Sequence, residues 1–267
     1  MKSDTIASFA VIIIESLAEN DVKTGSILHR EVVKYKKFQE PELTSELYHV
    51  SSKVGLQLLL TTIAERIKIN KLFPIIHIET HGGEEGIVLK SGEEVLWSEL
   101  IPYFRDINIL LGNELVLIMS MCVGLKILGV VMPDERAPFR AIVAASNDVS
   151  QIDLRNGFES FYDNFFFSFD LETSTDMLNQ AIGNERPTFY VLTADYIFKQ
   201  VLDINRDPIH FEGMINQMAI EQKALNPAYL GLPFDDVLID VRKTILNLFI
   251  QTREKQSWFL MADLRSS

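Results

Sequence analysis

An α/β fold with a mostly parallel sheet and helices on both its faces is the architecture this sequence predicts. Three observations carry it. Short apolar runs alternate with helical stretches along the first two thirds of the chain; three of the runs are almost unbroken in apolar residues; and the helical stretches between them are long enough for crossovers.

The expected strands are Ser8–Ile14, Leu28–Tyr35, Phe73–Thr80, Leu115–Met121 and Phe139–Ala145. Near-continuous Val, Ile and Leu mark strands covered on both faces. Between the second and third lies an expected helix from Ser51 to Lys68. Its apolar residues Leu56, Leu59, Leu60, Ile63 and Ile67 recur at helical spacing, with Ser51 or Ser52 as N-cap. Another starts at Ser98, with Glu99 in its first turn and Gly112-Asn113 as its stop. After Gly157 come an aromatic helix, Phe158–Phe167, and a second starting near Thr175; Thr188–Leu192 reads as a last strand. A helix over Asp236–Glu254 places Val237, Leu238, Val241, Ile245, Leu248 and Phe249 on one face. The expected boundary falls near residue 195, separating a domain over 1–195 from a helical C-terminal extension over 196–267.

Composition narrows the function classes. Of 267 residues, 47% are apolar and 17 are Phe, which is enough to bury a large core. The net charge of -12, with no run of five basic residues, sets the average field against a phosphate backbone, so no nucleic-acid partner is expected. Lys2 precedes an apolar stretch, Ile6–Ile14, but Asp4 and Glu15 spoil a signal-peptide reading. No 18-residue apolar run exists, so no membrane association is expected. The single cysteine, Cys122, can form no internal disulfide, which suits a reducing cytoplasm, and any thiol chemistry must run through it.

The third strand leads into His81-Gly82-Gly83 and the fourth into Cys122-Val123-Gly124. A helix joins them, so the unit is strand–helix–strand with a right-handed crossover, and both strands end at the same edge of the sheet. Adjacent strand axes lie about 5 Å apart. An imidazole and a thiol can then share the carboxyl edge, where α/β sheets place their sites. The chemistry needs this pairing: a free thiol, with a pKa near 8.5, is about 3% thiolate at neutral pH, and an imidazole can take its proton or stabilise the thiolate. The N–H groups of Gly82 and Cys122 are natural oxyanion-hole donors, and Gly83 leaves the cleft open.

A strand ending in His-Gly, followed about 40 to 50 residues later by an apolar strand ending in Cys-x-Gly, resembles the caspase-like cysteine peptidases. These comprise caspases, metacaspases, gingipains, separase and the bacterial CHAT-type proteases. Ser120-Met121-Cys122-Val123-Gly124 stands where caspases carry Gln-Ala-Cys-Arg-Gly, and His81 and Cys122 are 41 residues apart. Arg140–Ser146 resembles the family's next core strand, whose end helps to build the P1 pocket. The likeness covers about residues 5 to 185. It implies a three-layer caspase-like sandwich, a His81–Cys122 dyad for acyl-enzyme hydrolysis of a peptide bond, and no cofactor or metal. Its partners would be a protein or peptide substrate and a regulatory protein. The P1 pocket would involve Ser120, Ser146, Asn147 and Asp148, the last two favouring a basic P1 residue. Ser120 replaces the Asp that metacaspases use there, and no processing linker follows the nucleophile strand.

Two other readings stay open. His77, Glu79 and His81 alternate on one strand face and, with Cys122, offer zinc ligands. Against it, His77 and His81 would be about 13 Å apart in a regular strand. The other reading is a caspase-like scaffold that binds without cleaving. Glu84 and Glu85 read as solvated loop acids, Trp97 as a helix anchor, and Phe165-Phe166-Phe167 as core or interface.

Overall fold

The structure, a computed structural model, describes residues 9–70, 72–203 and 208–264. The chain forms two compact units, Met1–Val131 with Ala137–Ala194, and Met132–Arg136 with Asp195–Ser267.

The first unit is built on β1 (Phe9–Glu15), β2 (Leu43–His49), β3 (Phe73–Glu79), β7 (Val116–Ser120), β8 (Ala141–Ala145) and β9 (Phe189–Thr193), in the order β2-β1-β3-β7-β8-β9. The first five are mutually parallel and β9 runs antiparallel to β8. On one face Val11, Ile13, Ile75, Ile118 and Val143 join a core with Leu28, Phe158, Phe161, Tyr162, Phe165 and Phe166. That core is closed by α1 (Thr24–Glu31), α4 (Gln151–Ser168) and α5 (Leu171–Ile182). The alternate residues Ile12, Ile14, Ile76, Ile78, Leu117 and Met119 are buried too. They face the second helical layer, α2 (Lys53–Asn70) and α3 (Trp97–Leu110), which pack on each other. The predicted three-layer α/β sandwich is therefore the observed one. Between β3 and α3 sits a small antiparallel sheet that the sequence did not announce: β4 (His81–Gly82), β5 (Gly86–Val88) and β6 (Glu94–Leu96).

One expected strand is corrected. Leu28–Tyr35 is not a strand but the end of α1 and a 3-10 segment, Val33–Phe38. Its buried apolar residues Leu28, Val32 and Val33 follow a helical i, i+4 spacing, not an alternation. The true second strand, β2, lies at the sheet edge with Leu43 its only buried residue, and so lacks an apolar run.

A bidentate ion pair ties that edge strand to α2: Arg66 Nη1 and Nη2 donate to Glu46 Oε2 and Oε1 at 2.7 and 2.6 Å, and Tyr48 donates to Glu46 Oε2 at 2.6 Å. The Arg66 hydrogen bonds, against the opposing effect of burial, hold the Glu46 carboxyl below its ordinary value, with Tyr48 adding to them. Because that value is depressed in the folded state, the pair stabilises above the ordinary carboxylate range, and its contribution is lost as pH falls through the lowered value. Arg66→Met is expected to cost about 1 kcal/mol near pH 7, with the deficit shrinking on acidification. Urea unfolding of both proteins at several pH values checks this; a pH-independent deficit would mean the guanidinium acts only by packing.

In the second unit, α7 (Pro208–Leu225) and α8 (Phe234–Glu254) pack through Ile215, Ala219, Val237, Val241 and Ile245. The side chains of Leu248 and Phe249 lie outside the described residues. Here α6 (Ala194–Asp203) meets α9 (Gln256–Phe259), with the Phe198 and Phe259 rings 5.1 Å apart. Arg136 pairs with Asp263 and lies over the Trp258 ring. Among the described residues, no helix is long and apolar enough to cross a membrane.

Candidate active site

The ends of β3 and β7 are neighbours in register: Glu79 pairs with Ser120, so His81 and Cys122 each follow a paired position by two residues. Beyond Glu79 the chain leaves the large sheet and enters β4, which runs directly past the nucleophile turn. A Cβ placed on Gly82 would lie 2.0 Å from the Cys122 carbonyl oxygen and 3.0 Å from Met121 Cγ. Only glycine allows this approach. Gly83 N donates to Gly86 O at 2.8 Å, so Gly82, paired with Ile87, occupies the alternate position of the ladder, where the N–H turns away from β5. Among the described residues the Cys122 N–H has no hydrogen-bond partner.

Cys122 is half-buried. Val149 N–H donates to its sulfur at 3.4 Å, and the thiol reaches Val149 O at 3.6 Å. Val149 precedes Ser150, the N-cap of α4, whose Oγ accepts from Asp153 N. The sulfur therefore lies beside the N-terminus of an 18-residue helix. The following residue, Val123, is left-handed at φ 46°, an uncommon conformation for a β-branched side chain, and donates its N–H to Asn147 O at 3.1 Å. Strain of this kind gathers at functional turns. Lys126, just past the turn, pairs with Glu84 in the β4–β5 connection.

The His81 side chain is 52% exposed, and its Nε2 lies 2.9 Å from Asp21 Oδ2. The imidazole therefore turns to Asp21 and the thiol to Val149, and the two make no hydrogen bond with each other. The His81 hydrogen bond holds the Asp21 carboxyl below its usual value against burial, helped by the Ala18 N–H and the charges of His81 and Lys23.

Of the four residues expected at a P1 pocket, Ser120 is fully buried and its hydroxyl has no partner among the described residues. Ser146 is half-buried, with its N–H and hydroxyl both directed at Thr188 O. Asn147 and Asp148 are exposed, and Asn147 holds the nucleophile turn through its carbonyl. Ser120 ends β7 and the other three follow β8, in the segment that meets the Cys122 turn through Asn147 and Val149.

The zinc reading is corrected. His77 is fully buried, with Nδ1 at 3.0 Å from Tyr162 Oη and Nε2 at 2.9 Å from Glu79 Oε1. Both ring nitrogens are thus taken, and His81 belongs to β4 and not to a continued β3. No grouping of three His, Cys, Asp or Glu suited to an ion occurs among the described residues. Sequence reasoning missed Asp21, which reaches His81 across 60 residues from a polar loop without a local signature.

No protein-family model matches this chain, and no curated protein does. Among solved structures, that of the Drosophila initiator caspase Dronc is similar, with a TM-score of 0.52 over 72% of this chain and 85% of that one at 15% identity. The fold is caspase-like. At that identity the likeness speaks for the caspase-like architecture alone, so the chemistry rests on the residues at the strand ends.

Proposed function

We propose that this protein is a cysteine endopeptidase acting through Cys122 and His81. The supporting observation is the passage of Gly82 against the Cys122 carbonyl, which brings the residue after the imidazole into contact with the nucleophile turn. The Cys122 sulfur attacks a peptide carbonyl carbon, and the thiol proton passes to His81. The oxyanion is received by the N–H groups of Gly82 and Cys122. The C–N bond then breaks as His81 returns the proton to the leaving amine. Water, deprotonated by His81, cleaves the thioester and frees the acid and the thiol. Catalytic hydrogen bonds are commonly long or poorly aligned without substrate and tighten around it. Ser146, Asn147 and Asp148 would flank the P1 side chain, with Asp148 favouring a basic one, while the buried Ser120 would lie beneath the pocket floor and not against the substrate. A chain with one free thiol fits the reducing cytoplasm as its place of action.

Incubation with thiol-directed peptide electrophiles carrying basic or acidic P1 residues, followed by mass mapping, tests this. Expected are one adduct on Cys122, faster with a basic P1, none in Cys122→Ala, and strongly slowed labelling in His81→Ala. Proteolysis that survives Cys122→Ala would end the proposal. The engagement of the thiol with Val149 and of the imidazole with Asp21 favours a second reading, a non-cleaving scaffold, for which Cys122 would label no faster than free cysteine.

A further inference from the structure

Resting on the His81–Cys122 reading, we propose that Asp21 is the positioning residue of this site. Its carboxylate accepts the Nε2 hydrogen of His81 and so presents Nδ1 to the thiol and the substrate. The 2.9 Å contact occupies Nε2, and among the described residues Nδ1 has no hydrogen-bond partner. A neutral imidazole donating through Nε2 carries its lone pair on Nδ1, where a base is needed. Once Nδ1 takes the proton, the imidazolium faces an anion.

The loop that carries Asp21 is fixed by its own chemistry. Asp21 Oδ2 accepts from Ala18 N at 2.8 Å while Asp21 N donates to Ala18 O at 3.0 Å, closing a turn. The Lys23 ammonium donates to Leu17 O at 2.9 Å and to Ala18 O. The next residue, Thr24, donates its hydroxyl to the buried Glu79 at 2.6 Å. Asp21 is thus held between the end of β1 and the start of α1, its side chain 19% exposed, while its partner stands in solvent at 52%. The electrostatic setting keeps this carboxyl ionised over the range in which an imidazole titrates.

The test needs no natural substrate. The rate of Cys122 alkylation by iodoacetamide at pH 7 is measured for the wild type, His81→Ala, Asp21→Asn and the double variant. Asparagine retains an oxygen acceptor for the Ala18 N–H, so the turn persists while the anion is lost. His81→Ala is expected to slow alkylation by up to about 30-fold, the ratio of full thiolate to the roughly 3% of a free thiol with pKa 8.5. Asp21→Asn is expected to slow it about tenfold, and the double variant should be no slower than His81→Ala, since residues that act as a unit are non-additive. If His81→Ala has no effect, the peptidase reading itself fails. If His81→Ala slows the reaction and Asp21→Asn does not, the dyad stands and Asp21 is not its positioning residue. A double variant slower than His81→Ala would show that Asp21 acts through the loop and not through the imidazole, which also overturns the inference.

Discussion

Gly82→Ala is expected to silence Cys122, whereas Gly83→Ala, one residue along, leaves it reactive. A Cβ at Gly82 would stand 2.0 Å from a backbone carbonyl oxygen, with Met121 Cγ at 3.0 Å on the same side. Backbone cannot yield as a flexible side chain can, so β4 and the Cys122 turn must separate by more than an ångström to restore contact distance. Misplacement on that scale costs on the order of 100-fold in a reaction that depends on near-attack geometry. It would also carry the Gly82 N–H away from any oxyanion shared with Cys122. The neighbouring glycine has no such constraint: a Cβ at Gly83 finds only Gly86 O, at 3.7 Å, an ordinary contact. Labelling by a peptide electrophile, with circular dichroism to establish folding, compares the two. Equal labelling of Gly82→Ala and wild type would remove the principal support for a shared site.

What the sequence disclosed follows from how each element is solvated. Strands β1, β3, β7 and β8 are covered on both faces, so their apolar runs are unbroken and readable without neighbours. The edge strand β2 has a hydrogen-bonded partner on one side only and little burial, so its sequence carries polar residues that look like loop. The stretch Leu28–Tyr35, which is the end of α1 and a 3-10 segment, reads as a strand because Leu28, Val32 and Val33 show which period they follow only once their burial is known. Strand-end logic brought out His81 and Cys122, since a parallel pair fixes which edge both reach. Asp21 and Val149 stayed hidden because each acts from a loop across a long separation, 60 residues to His81 and 27 to Cys122, and loop contacts leave no periodicity. Glu79 and His77 were visible as an alternating pair, but whether they faced a metal or the interior depended on α4, which supplies Tyr162.

Glu79→Leu is expected to destabilise the caspase-like unit by about 3 kcal/mol, because it orphans groups that have no route to water. Glu79 is 1% exposed and His77 fully buried. Burial, reinforced by the Glu79 charge, pushes the Tyr162 phenol well above its usual value, so that hydroxyl stays protonated. With the His77 ring hydrogen on Nε2, every group in line is satisfied: Tyr162 donates to Nδ1, Nε2 donates to Glu79 Oε1, and Thr24 donates to Oε2. Leucine removes the acceptor for two donors at once, and Gly25, whose missing Cβ would meet Glu79 Cγ at 2.8 Å, leaves the α1 backbone pressed on the same spot. At about 2–4 °C per kcal/mol for a unit of this size, the melting temperature should fall by roughly 6–12 °C. Glu79→Gln keeps an acceptor for one of the two and should lose less than half of that. His77→Phe/Glu79→Leu should recover part of the loss, since removing both partners costs less than stranding one; full recovery is not expected, because the Tyr162 and Thr24 hydroxyls then lose their acceptors. Thermal unfolding of the three variants decides the matter. A Glu79→Leu protein as stable as wild type would mean that desolvating this carboxylate costs as much as its two hydrogen-bonded neighbours return, and that the line of polar groups orients α1 without stabilising it.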